Sequence, residues 1–310
     1  MNSLKFLLVF GVFVFVGCKK IIIQECNKVE KINPRDTLIF PSDTTGVLDR
    51  EIFDRSEIIE NLKYKIEAGE PLFVHVLVPL CDNEYQMIAP VSNSLGDGMN
   101  LRSNLYWGVS HGMRTVFKND NKWKQVYHKK DADRNILERL IFYREFENKA
   151  KVYVTLDAYR GDRMRECLED FHGALRGIVT DTIQRKNVTY GLYSKAQLLI
   201  FNGHNGMMEN SISEGYNEDW IPKDAVSISC SSQYYFNDYF IKNNAFPLVT
   251  TTCSLYPGGD IVHDLIPAWA NLDSAEEIKD RAALSYHKMK NTGLETAKRM
   301  FNAGWRTKEF

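Results

Sequence analysis

A surplus of charge of either sign is missing from this sequence. Its 39 Lys and Arg stand against 40 Asp and Glu, a formal net charge of −1. No basic balance points to nucleic acid, and no acidic run marks a disordered tail. No two of the six cysteines are spaced Cys-x-x-Cys, which argues against a zinc ribbon or a thioredoxin-type redox site. There is no His-x-x-x-His and no paired-Asp motif, the usual ligand patterns of a metal hydrolase. Asp82 and Asp97 are spaced like no defined calcium loop. No metal and no cofactor is expected. Internal repeats and low-complexity tracts are also missing, so a solenoid is not expected.

What is present is enough apolar material for a well-buried core: 310 residues, 44% of them hydrophobic. The N-terminus holds the longest apolar run, Phe6 to Val16, after Lys5 and before Gly17-Cys18-Lys19-Lys20. The run is too short to span a bilayer and reads as a secretory signal. Residues 1–17 are expected to be a signal peptide. Cys18 follows a small residue, as at a bacterial lipoprotein cleavage site, where the cysteine becomes the lipidated first residue. Such a lipid would hold the protein to a membrane in the cell envelope. Turn-rich sequence around Pro34 and Pro41 makes 18–56 a tether, and 57–310 a single domain.

Helical spacing covers Leu48 to Glu67. Pro71 to Val78 is apolar on both faces, as a central parallel strand should be, and His75 inside it reads as a core histidine. Residues 81–130 are rich in loops and aromatics and are expected to form an insertion over the sheet edge, with a helix from about Gly108 to Phe117. Further strands are expected at 136–146, 151–156, 196–201, 225–229 and 246–252. Helices are expected at 162–180, 233–242, 260–270, 275–290 and 295–302. Strand and helix alternate, so the fold class is α/β, a mainly parallel sheet flanked by helices.

Two of these strands carry the candidate chemistry. Leu198-Leu199-Ile200-Phe201-Asn202-Gly203 runs into His204-Asn205-Gly206, and Val226-Ser227-Ile228-Ser229 runs into Cys230. A cysteine between a strand and a helix N-terminus is placed to ionise and act as a nucleophile. A histidine on the neighbouring strand end can serve as its general base and later as an acid. Asn205 and Gly206 are candidates for backbone support of an oxyanion. Asp157 could orient His204, and Arg160 could bind a carboxylate. Tyr106 and Trp107, in the aromatic insertion, are candidates for gripping a substrate. Asp260 and His263, three apart on a helix, read as a first-turn carboxylate and a surface histidine.

An apolar strand ending in His and a following one ending in Cys is similar to the caspase-like cysteine peptidases: caspases, gingipains, legumains and separases. That resemblance implies a three-layer α/β sandwich with His204 and Cys230 at neighbouring strand ends. The sequence departs from the pattern at Asn205, where His-Gly is usual, and at Ser229, where Ala or Gly is usual. Asn104-Leu105-Tyr106-Trp107-Gly108, Gly203-His204-Asn205-Gly206-Met207-Met208, Ser229 to Phe236 and Thr250-Thr251-Thr252 also resemble a bacterial family of exported or cytosolic proteins that carries no assigned reaction. The expected function is an exported, membrane-anchored cysteine hydrolase, peptidase- or amidase-like, acting on a peptide-like or small-molecule substrate. The alternative is a cell-surface binding lipoprotein on the same fold, without catalysis.

Overall fold

The computed structural model describes residues 54–305, save 214 and 217. The signal segment, the lipidation candidate Cys18, nearly all of the tether and the residues from Leu48 to Phe53 lie outside them. In chain order the elements begin with α1 (Ser56–Glu67), β1 (Pro71–Pro79), α2 (Met113–Asn119), β2 (Lys124–Lys130), β3 (Ile136–Glu145) and β4 (Lys151–Tyr159). Then come α3 (Met164–Leu175), β5 (Thr180–Arg185), β6 (Val188–Tyr193), β7 (Leu198–Asn202) and β8 (Lys223–Ile228). The chain closes with α4 (Ser232–Lys242), β9 (Ala245–Thr251), α5 (Gly259–Ala270), α6 (Ala275–Lys290), α7 (Leu294–Arg299) and β10 (Phe301–Asn302). Among the described residues no helix is long and apolar enough to cross a membrane.

One sheet of eight strands runs β10-β9-β8-β7-β1-β4-β3-β2. Its five central strands are parallel, and β2, β3 and β10 are antiparallel to their neighbours. Strand alternation divides β1 between two cores. Leu72, Val74, Val76 and Val78 meet α1, α2, α5 and α6, whereas Phe73 and Leu77 meet α3 and α4. The result is a three-layer α/β sandwich, as the alternating pattern predicts. From β1 the chain moves to β4 on one side, then crosses back to β7 on the other. The C-terminal ends of β1 and β7 therefore flank a point where the winding reverses, and such points leave a crevice for ligands.

Four segments differ from the sequence expectation; in one, the helix expected at 295–302 ends at Arg299, and Phe301–Asn302 instead pair with β9 as β10. The helix expected to run to 180 stops at Leu175, because Gly177 (φ 85°) takes the left-handed conformation that ends a helix. The chain then forms a β5–β6 hairpin, a separate two-stranded sheet. The insertion supplies α2 where a helix is expected, shifted to Met113–Asn119, and also the edge strand β2, which is not expected. β2 reads Lys-Gln-Val-Tyr-His-Lys-Lys with no buried residue; an edge strand with this much charge carries little periodic signal.

At the N-terminal edge of the sheet, Arg55 locks the start of the domain. Its Nε and Nη2 donate to the Asp224 carboxylate at 2.8 and 2.7 Å. The Trp269 indole N–H adds a third bond to Asp224 at 2.8 Å. Arg55 thus belongs to the domain and not to the tether.

Candidate active site

β7 ends where Gly203 passes the end of β1; a Cβ on Gly203 would lie 2.9 Å from Pro79 Cγ. That close approach needs glycine, and it delivers His204 to the C-terminal edge. Gly206 starts a short 3-10 turn over residues 206–208. The Asn205 Oδ1 accepts from Met207 N at 3.2 Å and fixes that turn. The turn returns Glu209 toward the ring, and His204 Nε2 lies 2.8 Å from Glu209 Oε1.

β8 delivers Cys230 in the next parallel strand. Between Cys230 and α4 stands Ser231 at φ 50°, the left-handed conformation that turns the chain sharply from strand into helix. Hydroxyls hold this corner. Ser232 Oγ donates to Ser227 O at 2.7 Å, Ser232 N donates to Thr251 Oγ1 at 3.0 Å, and Thr251 Oγ1 donates to Ser229 O. The Asn205 Nδ2 donates to Cys230 O at 2.6 Å, tying the histidine loop to the cysteine strand end. Cys230 Sγ itself reaches Leu255 O at 3.7 Å.

His204 and Cys230 line one cavity of about 340 Å³, together with Cys81, Tyr106, Met208 and Leu255. Its far wall is the segment after β1, including Met87, Ile88 and Val91. That segment is ordered by side chains rather than by regular structure. Asn104, fully buried, donates from Nδ2 to Cys81 O and Asp97 O and accepts from Cys81 N and Tyr106 N. Asp82 accepts from the N–H groups of Glu84 and Tyr85. The loop is therefore a fixed lining. A larger hollow of about 600 Å³, lined by Lys122, Arg144 and Pro267 among others, opens at the opposite edge, where Glu145 pairs with the first residue of β4. Among the described residues no cysteine, serine, threonine or histidine lines it.

The three thiols Cys81, Cys167 and Cys230 differ in setting. Burial pushes Cys81 up to about 12 and Cys167 well above its ordinary value. Both therefore stay protonated and inert near neutral pH. Burial, then the Cys81 and Cys230 thiols, raise Tyr106 as well, so its hydroxyl remains protonated. Cys253, just past β9, is disulfide-bonded.

The structure brings His204, Cys230, Asn205 and Tyr106 together and leaves four other candidates apart. Asp157 does not reach His204. It is fully buried, with Arg139 Nε and Nη2 each 2.6 Å from its carboxylate and His75 Nε2 at 2.8 Å. His75 Nδ1 accepts from Tyr193 N at 2.8 Å, so the proton directed at Asp157 sits on Nε2. Burial alone would raise Asp157, but Arg139 and then His75 outweigh it and hold it at about 2. Arg160 is paired with Asp162 through two contacts of 2.9 Å. Trp107 is fully buried, its indole donating to Glu138 at 2.7 Å. The Gly206 N–H is committed to His204 O at 2.9 Å and does not face a substrate. Asp260 meets His111, and His263 bridges Asp120 and Asp264. Among the described residues no three His, Cys, Asp or Glu side chains are grouped to hold a metal.

Sequence reasoning missed Glu209, the residue that orients His204. The available signal was the Asn205-Gly206 turn, which reverses the chain and returns a carboxylate five positions on. It also missed Cys81, Ile88 and Leu255, which reach the cavity only through the tertiary fold. The chain matches no protein-family model, no curated protein and no solved structure.

Proposed function

We propose that this protein is a cysteine hydrolase, peptidase- or amidase-like, on a caspase-like sandwich. The observation that carries the reading is the shared cavity: His204 and Cys230 both line it, at the C-terminal ends of adjacent parallel strands. Cys230 is the nucleophile. It sits two residues ahead of the eleven-residue helix α4, and a helix N-terminus favours the thiolate. His204 takes the thiol proton, and Glu209 holds the imidazole in place at 2.8 Å. The thiolate forms a C–S bond to the acyl carbon while the carbonyl electrons move to oxygen. On collapse the C–N or C–O bond breaks, and His204 gives its proton to the departing amine or alcohol. Water, deprotonated by His204, then attacks the thioester carbon, the C–S bond breaks, and the thiolate and the acid are released.

The signal segment and Cys18 extend this to an exported protein tethered to the bacterial cell envelope by lipid, with no nucleic-acid partner. Cys18→Ala should release the protein from the membrane fraction. A binding lipoprotein without catalysis is the second reading, favoured by the exposed Met87 and Met208 at the cavity.

Alkylation with iodoacetamide, followed by intact mass, separates the two. Cys230 should be modified first and faster than a free cysteine, because Cys81 and Cys167 are buried and protonated. His204→Ala should slow the reaction. If Cys230→Ala is labelled as fast as the native chain, the hydrolase reading falls.

A further inference from the structure

The wall of the cavity states what kind of substrate it takes. Among the described residues no Asp, Glu, Lys or Arg lines it. Apart from His204, Cys230, Cys81, Ser254 and the Tyr106 hydroxyl, the lining is apolar: aliphatic and thioether side chains, proline, glycine and the Tyr106 ring. The wall is also preformed. Val91 N donates to Asn83 Oδ1 at 3.0 Å, and the Tyr256 hydroxyl donates to Leu105 O at 2.9 Å. Those bonds fix the backbone behind Val91 and Leu105 before any ligand arrives. Glu209, the carboxylate beside the dyad, is engaged with His204.

We propose that this cavity is the specificity pocket for an uncharged aliphatic or thioether side chain on the acyl side of the cleaved bond. The substrate class is a peptide or acyl derivative with a Leu- or Met-like residue there. The inference rests on the cysteine-hydrolase reading of the same site. The volume of about 340 Å³ is at the low end of the roughly 300–1,000 Å³ found for small-molecule sites. It suits one side chain and the peptide flanking it. Beyond the reacting pair itself, the wall offers a Lys or Asp side chain no opposite charge, and burying an unpaired charge is strongly unfavourable. Met87 is 81% exposed at the rim, and a flexible thioether there adapts to branched or unbranched chains.

Acyloxymethyl ketone peptides ending in Leu, Lys or Asp test this on the full chain in detergent. The Cys230 thiolate attacks the methylene carbon, a C–S bond forms, the C–O bond breaks, and a carboxylate leaves. The rate of adduct formation is read by intact mass. The Leu probe should react at least about tenfold faster than either charged probe, in line with the discrimination apolar pockets reach, and Cys230→Ala should abolish it. Ile88→Glu should shift the Leu-to-Lys ratio toward Lys by about tenfold, and Met87→Glu at the exposed rim makes the same test if Ile88→Glu does not fold. Equal or faster labelling by Lys or Asp, or a ratio unmoved by either substitution, overturns the apolar pocket while leaving the reactive thiol intact. If neither the probes nor iodoacetamide label Cys230 above the alanine variant, the hydrolase reading fails and the pocket assignment fails with it.

Discussion

Replacing Asp157 by Asn removes the anion at the centre of a buried network without changing its volume. In the native fold Arg139 donates twice to Asp157 at 2.6 Å and once to the Tyr193 hydroxyl at 3.2 Å. In the variant the guanidinium stays buried, with that hydroxyl and Asp181 at 3.9 Å as its other partners. The new amide also turns an N–H toward groups that are themselves donors. Breaking one side of a buried pair costs about 3–5 kcal/mol, a large part of the roughly 5–15 kcal/mol that holds a typical domain. At about 2–4 °C per kcal/mol for a domain of this size, the melting temperature should fall by roughly 6–20 °C. The acid limb gives a second reading. Asp157 drops from an ordinary 3.8 to about 2 in the fold, a difference of roughly 2 kcal/mol at about 1.4 kcal/mol per unit. A depressed carboxylate contributes that stability fully above pH 3.8, and the contribution is lost as pH falls through about 2. Urea unfolding at several pH values, followed by circular dichroism, should therefore show the gap between native and Asp157→Asn narrowing from about pH 4 downward. Iodoacetamide labelling of Cys230 in folded variant should be unchanged. A loss below about 1 kcal/mol, a gap that does not narrow in acid, or a slowed Cys230 would refute the reasoning and return Asp157 to the active site.

Two further outcomes follow from the site. Glu209→Gln keeps a hydrogen-bonding group beside His204 but removes its charge. Turnover of a Leu-type substrate should fall at least about tenfold, part of the ~10²–10⁴ that a positioned acid–base group supplies, with the melting temperature unchanged; an unaltered pH–rate profile would show that Glu209 does not act through His204. Asn104→Ala strands the Cys81 and Asp97 backbone groups that its amide satisfies. It should cost about 1–3 kcal/mol for each buried group left unpaired, and hydrogen exchange should rise first across residues 81–112. Exchange spread evenly over the sheet would contradict the view of Asn104 as the anchor of this lining.

Much of the sheet was legible because its strands are buried on both faces. β1, β7 and β9 are largely apolar runs bounded by turns, and β8 carries Ala225, Val226 and Ile228, a pattern set by burial rather than by neighbours. The helix α6 was legible end to end, with a capping box at Ser274 and Glu277 to mark its start. The β5–β6 hairpin and the edge strand β2 were not. β2 and β5 are mostly exposed, whereas β6 buries four of its six residues; what fixes them as strands is pairing to a partner, which no local window contains. The same division runs through the site. Cys230 and His204 stand at the ends of apolar runs and could be picked from the sequence. Trp107 could be picked as an aromatic in a loop, yet only its burial and its bond to Glu138, which Arg114 also meets, show that it faces inward.

The sequence by itself determined the class of the fold and singled out His204 and Cys230 as candidates at two strand ends. Both follow from local composition: apolar strand, turn, polar residue. The tertiary structure decided which groups serve them. Asp157, next to β1 in the sheet, went to Arg139 and His75 because those side chains project from neighbouring strands on the same face. Glu209 went to His204 because a turn of three residues brings it back. The apolar cavity exists only because a loop pinned by Asn104 closes over strand ends far away in sequence. Charge and burial set the outcome in each case, and both are properties of the neighbours in space.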